Sequence, residues 1–129
     1  MTFLIVEDSR TTRNLVKNYL NEIKFDQKIF FLEAEDGETA LDMIKTRYVD
    51  FVLLDWNLST KMTGLDILKT IRATEKHKNL PVIMITGESD KPNVIEAIKH
   101  GANDFASKPI DQKTFAEKIL KAVSNMKPL

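Results

Sequence analysis

Four short apolar runs punctuate the chain, Phe3 to Val6, Ile29 to Leu32, Phe51 to Leu54 and Val82 to Ile85, each continuous rather than alternating. Continuous runs of this length suit strands covered on both faces, as in a parallel sheet. Between them, apolar residues recur at helical spacing: Leu15, Val16, Tyr19, Leu20 and Ile23, then Ala40, Leu41 and Ile44, then Leu65, Leu68 and Ile71. Each set falls on one stripe, which predicts a helix lying against the sheet. A further stripe, Val94, Ala97 and Ile98, is closed by Gly101, a residue at ease in the left-handed backbone that ends helices. Asn103 to Ser107 then reads as a short fifth strand, and Phe115, Ala116, Ile119, Leu120 and Val123 as a last helix whose first free amides Asp111 can cap.

Strand and helix therefore alternate through five pairs. With right-handed crossovers, such an order predicts a doubly wound α/β sandwich. A length of 129 residues suits one domain over 1–129. Nineteen basic residues balance nineteen acidic ones and 43% of positions are apolar, a composition that argues against disorder and offers no basic surface for nucleic acid. The first apolar run is only four residues long before Glu7 and Asp8, too short for a signal peptide or a membrane span. Cysteine is absent, which removes disulfides, thiolate metal sites and thiol nucleophiles and fits a reducing compartment. A cytoplasmic monomer with neither nucleic acid nor membrane as partner is the expectation.

In open parallel sheets, ligands bind beyond the carboxyl ends of the strands. Strand one runs there into Glu7 and Asp8, strand three into Asp55, Trp56 and Asn57, strand four into Thr86, Gly87 and Glu88, and strand five into Lys108 and Pro109. Any one of these is unremarkable, since an acidic pair is commonly a solvated turn and a Lys-Pro step a surface loop. Their coincidence at the ends of different strands is what carries weight. Glu7, Asp8 and Asp55 in one cleft repel each other, which raises their pKa values unless a cation intervenes. All the available donors are oxygens, and hard donors of this kind suit magnesium. A carboxylate can attack phosphorus to form an acyl phosphate, with Asp55 the nucleophile. Lys108 would add a second positive charge, and the Thr86 hydroxyl a hydrogen bond to a phosphoryl oxygen.

These residues, in this order, resemble the receiver domains of two-component response regulators, especially the single-domain chemotaxis regulators of the CheY type, whose fold is a standard example of ligand binding at strand ends. The resemblance implies a five-stranded parallel sheet in the order 2-1-3-4-5 and a phosphorylation-activated signalling switch rather than an enzyme. It makes Asp55 the phosphoacceptor. It makes Asp8, Asp55 and the Asn57 backbone carbonyl direct magnesium ligands, with Glu7 acting through bound water. It implies a cis bond between Lys108 and Pro109, a switch pair of Thr86 and Phe105, and tuning of dephosphorylation by Asn57 and Glu88. A CheA-like sensor histidine kinase would be the donor. The downstream target, the flagellar motor switch among the candidates, would dock on the fourth helix, fifth strand and fifth helix.

Departures from the family pattern are Glu7 where aspartate is commoner, Phe105 where chemotaxis regulators carry tyrosine, and a loop over residues 58–64 that lacks the usual proline and is one residue longer. Three other readings share parts of the pattern, one of them a flavodoxin-type binding module, whose flavin phosphate Glu7 and Asp8 would repel. A phosphohydrolase of the haloacid-dehalogenase type needs a second aspartate two positions after the first, where this chain has Asn57. A receiver used only as an unphosphorylated scaffold would not need the intact set of charged residues.

Overall fold

The structure is a computed structural model that describes residues 1–58, 61–87 and 91–126, apart from the side chain of Lys91. Its elements follow the predicted alternation: β1 Thr2–Val6, α1 Arg10–Glu22, β2 Phe30–Ala34, α2 Gly37–Thr46, β3 Phe51–Asp55, α3 Gly64–Ala73, β4 Val82–Thr86, α4 Lys91–Lys99, β5 Asp104–Ser107 and α5 Gln112–Ser124. A short 3-10 turn over Glu75–His77 follows α3.

All strand pairings are parallel and the order is β2-β1-β3-β4-β5. β1 thus lies between β2 and β3, and the connections leaving β1 and β3 depart to opposite faces. The period of two along each strand builds a core on each side. Leu4, Val6, Val52, Leu54, Val82 and Met84 point to one face, with Ala40 and Ile44 of α2, Ile67, Leu68 and Ile71 of α3, and Ala97 of α4. Phe3, Ile5, Phe51, Leu53, Ile83 and Ile85 point to the other, with Val16 and Leu20 of α1 and Phe115 and Ile119 of α5. The central strands β3 and β4 are buried along their whole length, as their unbroken apolar runs require.

β2 departs from that expectation. It begins at Phe30 rather than Ile29, and Phe30 and Glu33 are exposed while Phe31 and Leu32 are half-buried. The run is apolar, yet β2 is an edge strand with a neighbour on one side only. The helical stripes are also narrower than the apolar residues suggest: Leu15, Ile98 and Leu120 lie in solvent. The fifth strand starts at Asp104, not Asn103. Asn103 instead turns its side-chain oxygen to accept from the Val82 amide at 2.8 Å, and its own amide donates to the Val82 carbonyl at 2.8 Å.

The helices begin where short polar side chains can satisfy free amides. Ser9 caps α1, Asp36 caps α2 and Asp111 caps α5, while Thr63 and Asp66 form a reciprocal capping box on α3. Past α4, Gly101 takes φ +97°, the left-handed conformation predicted for it. At this end of the sheet, Arg72 of α3 donates to the Gly101 carbonyl at 3.0 Å, the His77 carbonyl at 3.3 Å and the Asn103 side chain at 3.1 Å.

Candidate functional site

The opposite end of the sheet gathers the charged residues. β1 pairs through Val6 with Leu54 of β3, and the chain leaves the sheet immediately afterwards, placing Glu7 and Asp8 beside the end of β3. Glu7 keeps one last ladder bond, its amide donating to the Ala34 carbonyl at 3.0 Å. β3 closes with Asp55, in register with Ile85 of β4. The Lys108 amide donates to the Thr86 carbonyl at 2.7 Å, bringing the segment after β5 to the end of β4. The Lys108–Pro109 peptide is cis.

Glu7, Asp8 and Asp55 each present a carboxylate oxygen, all within 4.8 Å of one another. Glu7 is 1% exposed and Asp55 2%, while Asp8 is half-buried. The Lys108 ammonium reaches into the group, 2.9 Å from Glu7 Oε1 and 3.3 Å from Asp55 Oδ2. The two oxygens of Asp55 are thereby distinguished, because Oδ1 accepts from the Asn57 amide at 3.3 Å. Glu7 Oε2 accepts from the Ser9 amide at 3.2 Å.

Burial pushes the Glu7 carboxyl up to about 7 from an ordinary 4.5, and sharing protons with Asp8 and Asp55 adds to the rise against the lowering pull of Lys108. Removal from water therefore leads here, with repulsion between carboxylates as a supporting cause. Burial acts downward on Lys108, but its hydrogen bond to Glu7 and the charges of Asp55 and Glu7 outweigh that and hold the ammonium above its usual range. Three carboxylates against one ammonium leave an excess of negative charge at a cleft in which Glu7 and Asp55 are buried while Asp8 and Lys108 stay partly open to solvent. With oxygen donors only, the cluster fits a small hard divalent cation.

Comparison with known proteins identifies the family of the chain. Residues 3–120 match the family model described as the response regulator receiver domain. The chain is 46% identical over 119 residues to the chemotaxis protein CheY-3 of Vibrio cholerae serotype O1, covering 92% of this chain and 88% of that protein. It is 41% identical over 121 residues to the chemotaxis protein CheY of Pseudomonas aeruginosa, covering 94% of each. This chain belongs to the response regulator receiver family. Among solved structures, the receiver domain of NtrX from Brucella abortus superposes with a TM-score of 0.85 at 30% identity, over 96% of this chain and 99% of that one.

Within this receiver, Thr86 lies at the end of β4, and its buried hydroxyl has no hydrogen-bond partner among the described residues. A buried hydroxyl without a partner is costly, so a ligand oxygen arriving there would relieve it. Phe105 on β5 is half-buried against the core face shared by α3 and α4. Lys118 of α5 holds it in place: its ammonium sits 4.1 Å from the ring centroid, donates to the Phe105 carbonyl and lies 3.5 Å from Asp104. Asn57 is exposed beside Asp55. Glu88, and Ser59 and Thr60 of the longer loop, lie outside the described residues.

Reasoning from sequence passed over two residues that shape this site. Arg13 is buried on α1, in phase with Val16 and Leu20, so a charged residue on the apolar stripe was the available signal. Gly64 opens α3 directly behind the acceptor position. A Cβ there would sit 2.4 Å from the Asp55 carbonyl oxygen and 2.8 Å from Trp56 Cα, an approach that only glycine permits. Of the described residues, no helix is long and apolar enough to cross a membrane.

Proposed function

We propose that this receiver is a phosphorylation-activated switch in which Asp55 accepts a phosphoryl group from a phosphohistidine of a sensor kinase. The observation that carries the reading is the nearly dry Asp55 carboxylate, held by the Lys108 ammonium at 3.3 Å and grouped with Glu7 and Asp8. An oxygen of Asp55 attacks phosphorus in line as the bond from phosphorus to the imidazole nitrogen breaks, and the imidazole regains a proton from solvent. Lys108 stabilises the charge that builds on the phosphoryl oxygens.

Magnesium held by Asp8, Asp55 and the Asn57 carbonyl, with Glu7 acting through a bound water, would neutralise phosphoryl charge from the other side. The unpartnered Thr86 hydroxyl turns toward the phosphoryl group and frees space into which Phe105 rotates, so a charge change at Asp55 is read on the α4, β5 and α5 surface. Ile95 and Ile98 of α4 already stand exposed there. Asn57, beside Asp55, and Glu88 would tune the lifetime of the aspartyl phosphate. The names of the Vibrio and Pseudomonas relatives support a role in chemotaxis, with a CheA-like kinase upstream, the flagellar motor switch downstream, and a monomeric cytoplasmic protein over residues 1–129 between them.

The test is intact mass after incubation with acetyl phosphate and magnesium. Wild type is expected to gain one phosphoryl group, lost on adding chelator before the donor, while Asp55→Asn gains none. The adduct's decay should change in Asn57→Ala and Glu88→Ala. A wild-type chain that stays unmodified, with kinase as well as with acetyl phosphate, would leave the scaffold reading in its place.

A further inference from the structure

The side chain of Arg13 is only 8% exposed, although it carries a full charge and touches none of the proposed reacting atoms. Each of its three nitrogens donates one hydrogen bond. One terminal nitrogen donates to the Glu7 carbonyl at 2.8 Å, Nε pairs with Glu33 at 3.1 Å, and the other terminal nitrogen reaches Glu35 at 3.4 Å. Lys17 adds a second cation to Glu33 at 3.1 Å. Burying a guanidinium is costly unless its geometry is fully used, and the planar fork of arginine can serve three acceptors that a lysine ammonium cannot reach together.

The bond to Glu7 is the informative one. β1 ends at Val6, so the Glu7 carbonyl has left the sheet and is satisfied by a side chain instead. On the other side of the same Cα, the Glu7 amide is held by the Ala34 carbonyl at 3.0 Å. Both peptide planes flanking Glu7 are therefore fixed, and with them the directions in which the carboxylates of Glu7 and Asp8 leave the chain. The charge of Arg13 is meanwhile spread onto Glu33 and Glu35, so its effect on the cleft is one of aim more than of added positive potential.

We infer that Arg13 is a positioning residue that orients the acidic pair through the Glu7 carbonyl and thereby sets the affinity of the site for its divalent cation. This rests on the metal-assisted phosphoacceptor reading given above. Groups that support metal ligands from behind typically change affinity by ten- to a hundredfold when removed.

Magnesium titrations followed by the emission of Trp56, the neighbour of Asp55, test it. Arg13→Met is expected to raise the half-saturating magnesium concentration about tenfold, and Arg13→Lys by a smaller factor. Glu33→Gln disturbs the same ion-pair network but leaves the bond to Glu7, and should stay within about twofold of wild type. With acetyl phosphate, Arg13→Met should regain the wild-type rate once magnesium is saturating. Unchanged half-saturation in Arg13→Met overturns the inference, as does a saturated rate that falls while half-saturation stays fixed. An equal loss in Glu33→Gln also overturns it, because the network rather than the Glu7 bond would then be responsible. If Arg13→Met does not fold, Arg13→Lys carries the same comparison, and wild-type half-saturation in that variant overturns the inference. A wild type that binds no magnesium removes the underlying site reading itself.

Discussion

Glu7 illustrates how burial and charge compete on one side chain. Its carboxyl protonates near 7 in the folded chain, against 4.5 when free of the fold. Between those values the folded state binds more protons than the unfolded state, so this residue makes stability fall as pH rises through the window and level off above it. In chelator, urea midpoints measured from about pH 5 to about pH 8 should show that decline, and Glu7→Gln should flatten it. A wild-type slope that survives in Glu7→Gln would assign it to another group. The same protonation opposes metal binding, since a cation needs the ionised carboxylate.

Helix ends decide where functional residues sit at the scale of elements. α5 delivers Lys118 to Phe105 and is capped by Asp111, whose carboxylate accepts from the Thr114 amide at 2.9 Å and is held below its usual range by that bond. Asp111→Ala should cost about 1 kcal/mol in urea denaturation, while leaving the acetyl phosphate reaction at Asp55 intact. Loss of phosphorylation in that variant would mean that α5 reaches further into the site than its contacts indicate. Elements were largely legible in the sequence because the interiors of buried β3 and β4, before Asp55 and Thr86 at their ends, are unbroken apolar runs, and because Asp111 and Gly101 mark helix ends locally. β2 was less so, since an apolar run does not reveal whether a strand has one neighbour or two. Arg13 was missed because a single charge in an apolar stripe carries no sign of its partners on another strand.

For the whole molecule, the cleft is the place where folding would be coupled to binding of a cation. Four segments distant in sequence supply Glu7, Asp8, Asp55, Thr86 and Lys108, and only the finished sheet brings them together. A cation that binds this arrangement and not the unfolded chain must raise the melting temperature with the logarithm of its concentration once above its dissociation constant. Thermal melts in increasing magnesium should rise in wild type and stay flat in Asp8→Asn. A rise of equal size in both would place the ion elsewhere. The charged cluster was readable as a set because its members fall at strand ends, but the Lys108 ammonium lying between Glu7 and Asp55 depends on the turn after β5 and could not be read from spacing.

The Arg72 contacts at the far end of the sheet complete the picture. The guanidinium ties the end of α3 to the turn after it and to the junction of α4 with β5, while Asn103 stitches that junction to the first residue of β4. In mechanical terms these contacts act as a clasp that holds α3, β4 and the start of β5 in one block at the end of the sheet opposite Asp55, Thr86 and Lys108.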